Sequence, residues 1–152
     1  MDFWVFITTH DNWKVTRDMH TVGVAERHQK SIDRVEKGNK CLIYVKEEHN
    51  REVHRKSYII GEYEIISRAC YDNTPIFHKV STRPNETFPL RIKLKCLTPS
   101  ARPVEFKPFI PKLSFIKNKT HWGGTFQGNA LLKIPQDDYE IMASSLAKSG
   151  ND

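Results

Sequence analysis

The segment Tyr58-Ile59-Ile60-Gly61-Glu62-Tyr63-Glu64-Ile65-Ile66 is rich in β-branched and aromatic residues, which predicts a long β-strand. A strand accepts an interior glycine mainly at a bulge or at the corner of a barrel, and closure of the sheet would explain Gly61. The apolar run Cys41 to Val45 predicts a neighbouring strand. The charged residues 46–56 between the two strands predict a solvated hairpin loop.

The rest of the chain predicts more short strands and few helices. Further strands are expected at 4–8, 90–96 and 128–134, and helices at 11–19 (capped by Asp11), at 25–36 (ending before Gly38) and after Pro135. The proline-containing stretches 71–89 and 98–111 cannot be central strands. We expect one domain over residues 1–148, a small, closed, mixed α+β barrel, with a frayed tail at 149–152.

Length and composition exclude several classes of protein. A chain of 152 residues suits one compact domain that needs neither a disulfide nor a metal for stability. Cys41, Cys70 and Cys96 are widely spaced and odd in number, as expected for free thiols in a cytoplasmic protein. The apolar run at the N-terminus is too short to span a membrane. No metal, cofactor or membrane partner is predicted.

Positive charge is concentrated in one part of the chain. The formal net charge is +6, and residues 79–133 hold 11 Lys and Arg against 2 Asp and Glu. Such an asymmetry indicates a polyanionic partner. In Leu90 to Cys96 basic and apolar residues alternate, which predicts a strand with Arg91, Lys93 and Lys95 on its outer face. Contact with phosphates and simple solvation are both consistent with this row.

The segment Leu113 to Trp122 mixes aromatic residues with cations and contains no acid. Its rings, Phe115 and Trp122, could stack on bases, and Lys117 and Lys119 could neutralise phosphates. A core strand followed by a solvated turn would give the same composition. The segment alone does not decide between the two interpretations.

Signals of catalysis are thin. The chain has no Gly-x-Ser-x-Gly, no phosphate-binding glycine loop, no His-Glu-x-x-His and no Gly-x-Gly-x-x-Gly. The histidines lack the spacing of metal ligands, and no pair of carboxylates lies in an apolar setting. We therefore expect a protein that is not an enzyme.

Several short segments follow one another along the chain in a recognisable order. They are Trp4 to Thr9, Asn12-Trp13, Gly23-Val24 with Arg27-His28, Leu42 to Val45, Ile60 to Ile65, Tyr71-Asp72, Phe88 to Arg91, and Leu113 to Lys119 with Trp122. Together they resemble an EVE domain, a family of the PUA-like superfamily, and the resemblance spans nearly the whole chain. It implies a bent β-barrel flanked by short helices, with a pocket at one mouth, where relatives such as YTH domains hold a modified base.

The resemblance also implies which residues form the pocket. They are Thr8, Thr9, Gly23, Val24, Arg27, Tyr44, Phe115 and Trp122. Trp122 would stack on the base, Tyr44 or Phe115 would form the opposite wall, and phosphates would contact Arg91, Lys93, Lys95, Lys117 and Lys119. One departure concerns Val22, because related chains place a tryptophan directly before the Gly-Val pair. The missing ring would change the ligand or weaken the pocket.

The function predicted from sequence is binding without chemistry. The chain is expected to bind nucleic acid and to read a modified base in DNA or RNA, with the modification and the oligomeric state left open. The alternative is a small hydrolase, similar to ASCH proteins, acting on a modified nucleoside through a converging lysine, threonine and glutamate. A third possibility, a protein-binding module, predicts an exposed apolar patch instead of a basic cleft.

Overall fold

The computed structural model describes residues 1–49 and 52–150. Within these residues, ten strands and three α-helices follow one another along the chain. They are β1 (Phe3–Thr8), α1 (His10–Met19), β2 (Thr21–Val24), α2 (Gln29–Ile32), β3 (Lys40–Val45), β4 (Glu48–His49), β5 (His54–Arg55), β6 (Tyr58–Ile65), β7 (Cys70–Tyr71), β8 (Leu90–Cys96), β9 (Val104–Glu105), β10 (Leu131–Ile134) and α3 (Gln136–Ser149).

The main sheet has the order β10-β1-β3-β6-β8-β2, with β7 paired to β8 and β9 paired to β6. β1 and β3 are parallel, and the other pairs are antiparallel. The sheet curls into a half-barrel flanked by short helices, which confirms the predicted fold. Among the described residues no pairing joins β10 to β2, so the two edge strands of the main path stay unjoined and the expected closure of the sheet is wrong.

Both faces of the central strands are buried. Trp4 and Phe6 of β1 belong to the core on one face of the sheet, which also holds Trp13 of α1. Val5, between them, belongs to the core on the other face, which is covered by α3 and by residues 104–126. This two-sided burial explains the continuous apolar runs of β1 and β3. The expected core positions of Trp4 and Trp13 are confirmed, with 2% and 8% of their surfaces exposed.

Gly61 lies at a bulge, as predicted. The register between β3 and β6 shifts between Ile43, which pairs with Gly61, and Tyr44, which pairs with Ile59. A Cβ atom on Gly61 would lie 2.9 Å from Cε2 of Tyr63 and 3.3 Å from the Trp13 ring. The missing side chain therefore leaves room for two core aromatic rings at the point where the sheet bends.

Two helix predictions need correction. α1 begins at His10, and its N-cap is Thr9 instead of Asp11, because the Thr9 hydroxyl accepts a hydrogen bond from the Asn12 N–H at 3.2 Å. The helix predicted over 25–36 is only a 3₁₀ turn followed by the single turn of α2. The chain leaves the helix after Ile32 because Val35 is buried and Asn39 holds the next turn by accepting the Glu36 N–H at 3.0 Å.

The C-terminal part also differs from its prediction. The last strand begins at Leu131, since Gly128 adopts a positive φ of 77°. Ser149, predicted to fray, is the last residue of α3, and its hydroxyl accepts a hydrogen bond from the Arg102 N–H at 2.9 Å. Residues 151 and 152 of the predicted tail lie outside the described residues. Across 1–49 and 52–150, no helix has the length and apolar character to cross a membrane.

The contacts at Gly61 predict a stability difference between two glycines. Gly61→Ala should lower the free energy of unfolding by about 1 to 3 kcal/mol, because the new methyl group overpacks the core. Gly124→Ala is the matched control, since no atom lies within 4 Å of a Cβ built there, and it should change stability by less than about 0.5 kcal/mol. Urea unfolding followed by tryptophan fluorescence measures both, and equal stability of the two variants would contradict the role assigned to Gly61.

Candidate functional site

A cavity of about 610 Å³ lies between β2, one edge strand of the half-barrel, and the residues that directly precede the other edge strand, β10. Its walls come from the ends of β1 and β3, from β2, from residues of the 77–88 segment, and from residues 122–130 before β10. A cavity of this volume falls in the range of small-molecule sites. Segments far apart in the sequence therefore converge on one concave surface.

Seven of the eight predicted pocket residues line this cavity. They are Thr8, Thr9, Gly23, Val24, Arg27, Tyr44 and Trp122. The eighth, Phe115, is not among the lining residues. Its ring packs edge-on against Phe126, with a centroid distance of 6.2 Å, and supports the wall from behind. The structure therefore does not bring Phe115 into the cavity, and Phe126 occupies the wall at this point.

The aromatic wall is a packed cluster. Tyr44 stacks on Phe126 with ring centroids 4.2 Å apart and an interplanar angle of 8°, so one face of the Tyr44 ring is already covered. Burial raises the pKa of the Tyr44 hydroxyl to about 12. Trp122 packs at 5.7 Å against Phe106 but is only half-buried. Of the predicted rings that line the cavity, Trp122 is thus the one with surface to offer a ligand.

Several lining residues were missed from the sequence. Five of them have side chains that matter for shape or charge: Lys46, Glu47, Phe77, Arg83 and Glu86. The last three belong to the proline-containing stretch 71–89, which has no periodicity to mark a wall. Lys46 and Glu47 directly follow β3. Their position at the end of a strand was the sequence signal that could have placed them at the cavity.

Arg91 fastens the 72–88 segment to the sheet. Its side chain is only 5% exposed, and its guanidinium donates to the carbonyl oxygens of Phe88 at 3.1 Å, Thr87 at 2.9 Å and Thr74. It also lies 3.5 Å from a carboxylate oxygen of Asp72 and over the ring of Phe77. Burial lowers the pKa of the guanidinium, and Asp72 partly opposes this shift. Arg91 is therefore a structural residue, and its enclosed guanidinium has no surface left for the predicted contact with phosphate, unlike the exposed Lys93 and Lys95 of the same strand.

A second buried side chain secures the same segment. Asn12 of α1 accepts the N–H of His78 at 2.6 Å and donates to the His78 carbonyl at 3.2 Å, in the manner of a neighbouring strand. Gly23 of β2 permits the close approach, since a Cβ there would lie 2.6 Å from both the Phe77 ring and the Phe88 carbonyl oxygen. Phe88 itself adopts a positive φ of 50°. Because Gly23 has no side chain, Phe77 and Phe88 of the 72–88 segment can pack directly against β2 and form this part of the cavity wall.

The other predicted cations do not line the cavity. Lys119 is exposed, and its amine donates to the carbonyl oxygens of Ile110 at 2.9 Å and of Leu113, which ties the loop together. Lys93 donates to the Thr21 hydroxyl at 3.1 Å, while Lys95 and Lys117 are exposed. The segment 113–121 forms no strand, although Leu113 and Ile116 are buried.

The charges on the cavity wall come from residues outside the set predicted to contact phosphates. Arg27, Lys46 and Arg83 are exposed cations on the lining, and Glu47 and Glu86 are the acids. His28 also contributes, and partial burial lowers the pKa of its imidazole, although Glu86 counteracts part of the shift. Among the described residues no group of three or more His, Cys, Asp and Glu could hold a metal ion. The wall is polar and mixed in charge.

A family comparison identifies the fold. The profile of the EVE domain matches residues 2–145. The chain belongs to the EVE domain family. The UPF0310 protein PYRAB08750 of Pyrococcus abyssi is 41% identical to this EVE domain over 146 residues, covering 96% of the chain and 100% of the relative. The UPF0310 protein PH1033 of Pyrococcus horikoshii is 35% identical over 147 residues, covering 96% and 99%.

Solved structures share the fold of this EVE domain at low sequence identity. The human THYN1 protein in complex with DNA containing 5-methylcytosine superposes with a TM-score of 0.60 at 12% identity, covering 95% of this chain and 97% of that chain. The YTH domain of Mmi1 in complex with RNA gives a TM-score of 0.61 at 10% identity, covering 96% and 79%. These likenesses support the PUA-like fold implied by the sequence.

Because Arg91 holds the 72–88 segment against the sheet, its replacement should have a large effect on the stability of the fold. Arg91→Met should lower the free energy of unfolding by at least about 2 kcal/mol, because it removes the charged donor shared by three carbonyl oxygens of the 72–88 segment. Lys95→Met on the same strand is the control and should cost less than about 0.5 kcal/mol, since Lys95 is exposed. Urea unfolding measures the difference, and limited proteolysis should show earlier cleavage within 72–88 in Arg91→Met. Similar stability of the two variants would rule out the role.

Proposed function

We propose that this EVE domain binds nucleic acid and reads a modified base held in the cavity. The observation that carries the proposal is the convergence of Thr8, Thr9, Arg27 and Trp122 on one cavity large enough for a nucleobase. Aromatic carbon, hydroxyl groups and cations are the three kinds of group that such recognition uses. The complexes of THYN1 with methylated DNA and of the Mmi1 YTH domain with RNA show that domains of this fold bind nucleic acids.

The mechanism is capture of an extruded base. Extrusion costs a few kcal/mol, least in single strands or at damaged pairs, and stacking on one aromatic ring returns about 1 to 3 kcal/mol. Trp122 provides the ring in this proposal, and Thr8 and Thr9 provide polar groups for the base edge. The Thr9 hydroxyl already caps α1, so it is held in a fixed position. Exposed Arg27 and Arg83 are placed at the cavity to contact the phosphates.

Val22 defines how this cavity differs from related ones. The residue is 5% exposed and lies on the cavity wall, at the position where the sequence resemblance places a tryptophan. Phe77 packs over the adjacent Gly23 and supplies an aromatic ring on this side. The proposed ligand therefore meets a ring from the 72–88 segment where related chains are expected to use a ring from β2.

Trp122→Ala tests the base slot. The variant should lose most of the preference for a modified over an unmodified strand, because the stacking surface is removed, with a loss of about 1 to 3 kcal/mol on the modified strand. Titrations use fluorescent single-stranded DNA and RNA pentamers whose central base is 5-methylcytosine or cytosine, and N6-methyladenine or adenine. Equal losses on modified and unmodified strands would count against a slot, and Trp122→Phe should retain part of the preference.

A cation variant separates strand binding from base reading. Arg83→Ala should weaken modified and unmodified pentamers to the same degree and reduce the slope of log affinity against log salt by about one. Lys117→Ala, in the segment predicted to contact phosphates, should behave in the same way if that prediction holds. Loss of discrimination in the Arg83 variant would assign this residue to the base instead.

Hydrolysis of a modified nucleoside remains the second candidate, and the cavity lining favours testing it. Sequence alone offered no glutamate near Thr8, whereas Lys46 and Glu47 line the same cavity. The Glu47 carboxylate lies 3.8 Å from the Lys107 amine and 3.7 Å from the His54 ring, so it already has partners outside the site. These partners make Glu47 a weak candidate for activating water.

Incubation with a panel of base-acylated and base-methylated nucleosides, followed by mass detection of products, tests the second candidate. Binding without chemistry predicts unchanged nucleosides after long incubation. Product formation that disappears in Glu47→Gln and persists in Trp122→Phe would establish the hydrolase instead.

A further inference from the structure

We infer that a second groove beside the cavity binds the nucleotide adjacent to the captured base, with its base stacked on Tyr71. This inference rests on the proposed function, because it extends the same strand beyond the cavity. The groove has a volume of about 630 Å³. Its lining includes Tyr71 and the charged residues Glu26, Arg27, Arg83 and Glu86.

The groove is continuous with the cavity. Ala25, Arg27, Arg83 and Glu86 line both, so they form a shared rim. A base inserted in the cavity leaves its sugar and phosphates at the rim, and the next nucleotide must cross that rim. Arg27 and Arg83 are both exposed there, where they can contact the phosphate between the two nucleotides.

Tyr71 is an aromatic ring held open to solvent. Its surface is 62% exposed. In residues 1–49 and 52–150 the other exposed large apolar residues are Met1, Met19 and Ile66, and none of these three lines the groove. An exposed ring in a groove offers a face on which any base can stack.

The backbone under this ring is rigid. Tyr71 pairs with Leu90 in the ladder between β7 and β8, and the next N–H, of Asp72, donates to the Pro89 carbonyl at 2.8 Å. Asp72 also faces the buried guanidinium of Arg91. A ring on a fixed backbone loses little freedom when a base stacks on it, which favours binding.

The groove is lined by equal numbers of positive and negative residues, and this balance determines how the groove should bind a nucleotide. Arg27 and Arg83 are opposed by Glu26 and Glu86, and Glu86 accepts the Phe88 N–H at 2.9 Å. Asn73, Asn85 and Thr87 add neutral polar groups. The groove itself should therefore recognise a flanking nucleotide through stacking and hydrogen bonds. Removal of Tyr71 should leave the salt dependence of binding unchanged.

The test compares strands of different length on the full-length chain. The probes are 5-methyl-2′-deoxycytidine, a single-stranded DNA pentamer with central 5-methylcytosine, and the matching cytosine pentamer. Tyr71→Ala should weaken both pentamers by about 5- to 100-fold and leave the nucleoside unchanged, because only the pentamers have a flanking base. Tyr71→Phe should bind as the wild type does. Ile66→Ala, which removes an exposed apolar side chain outside the groove, should have no effect.

The outcomes separate this inference from the proposed function. Pentamer binding by Tyr71→Ala equal to that of the wild type, with discrimination still lost in Trp122→Ala, would overturn the flanking site and leave the base slot standing. A wild type without preference for either methylated base, together with a Tyr71-dependent affinity for the cytosine pentamer, would overturn base reading and retain the groove as a strand-binding surface. Equal weakening of nucleoside and pentamers in Tyr71→Ala, or failure of the wild type to bind any pentamer, would also overturn the inference.

Discussion

The shape of the candidate site depends on one buried cation. A guanidinium is costly to remove from water unless hydrogen bonds and opposite charge replace its hydration. Around Arg91, three carbonyl oxygens, the Asp72 carboxylate and the Phe77 ring supply that replacement. The carbonyls belong to a segment without a long regular element, so its position is set by β8. One wall of the cavity thus acquires the rigidity of a central strand.

The strands were predictable because burial leaves a strong pattern in the sequence. β1, β3 and β6 are buried on one or both faces, and their apolar and β-branched residues show this directly. The bulge at Gly61 followed from the cost of an interior glycine. The second helix did not follow, because its end is decided by tertiary contacts of Val35 and Asn39 that no local propensity records.

The site could be predicted only where the family pattern and the strand ends supplied it. Thr8, Tyr44 and Trp122 were found in this way, whereas Phe77 lies in a stretch whose prolines indicate only turns. Charge was the least reliable signal. Alternation along β8 cannot distinguish a solvated cation from one that neighbouring carbonyls bind, so the sequence overstated the basic surface and missed Arg83 and Lys46.

The open seam between β10 and β2 has a consequence for how such a domain can diversify. In the described residues the outer side of each of these strands takes part in no ladder, and the cavity is lined by β2 and by residues that directly precede β10. Side chains on both margins can therefore change in size without breaking inter-strand hydrogen bonds. A different ligand would require a wider or narrower gap, obtained by local repacking where Val22, Val24 and Leu131 join the core. Val22, at the position where the sequence resemblance implies a tryptophan, is one place where such a change in size would act.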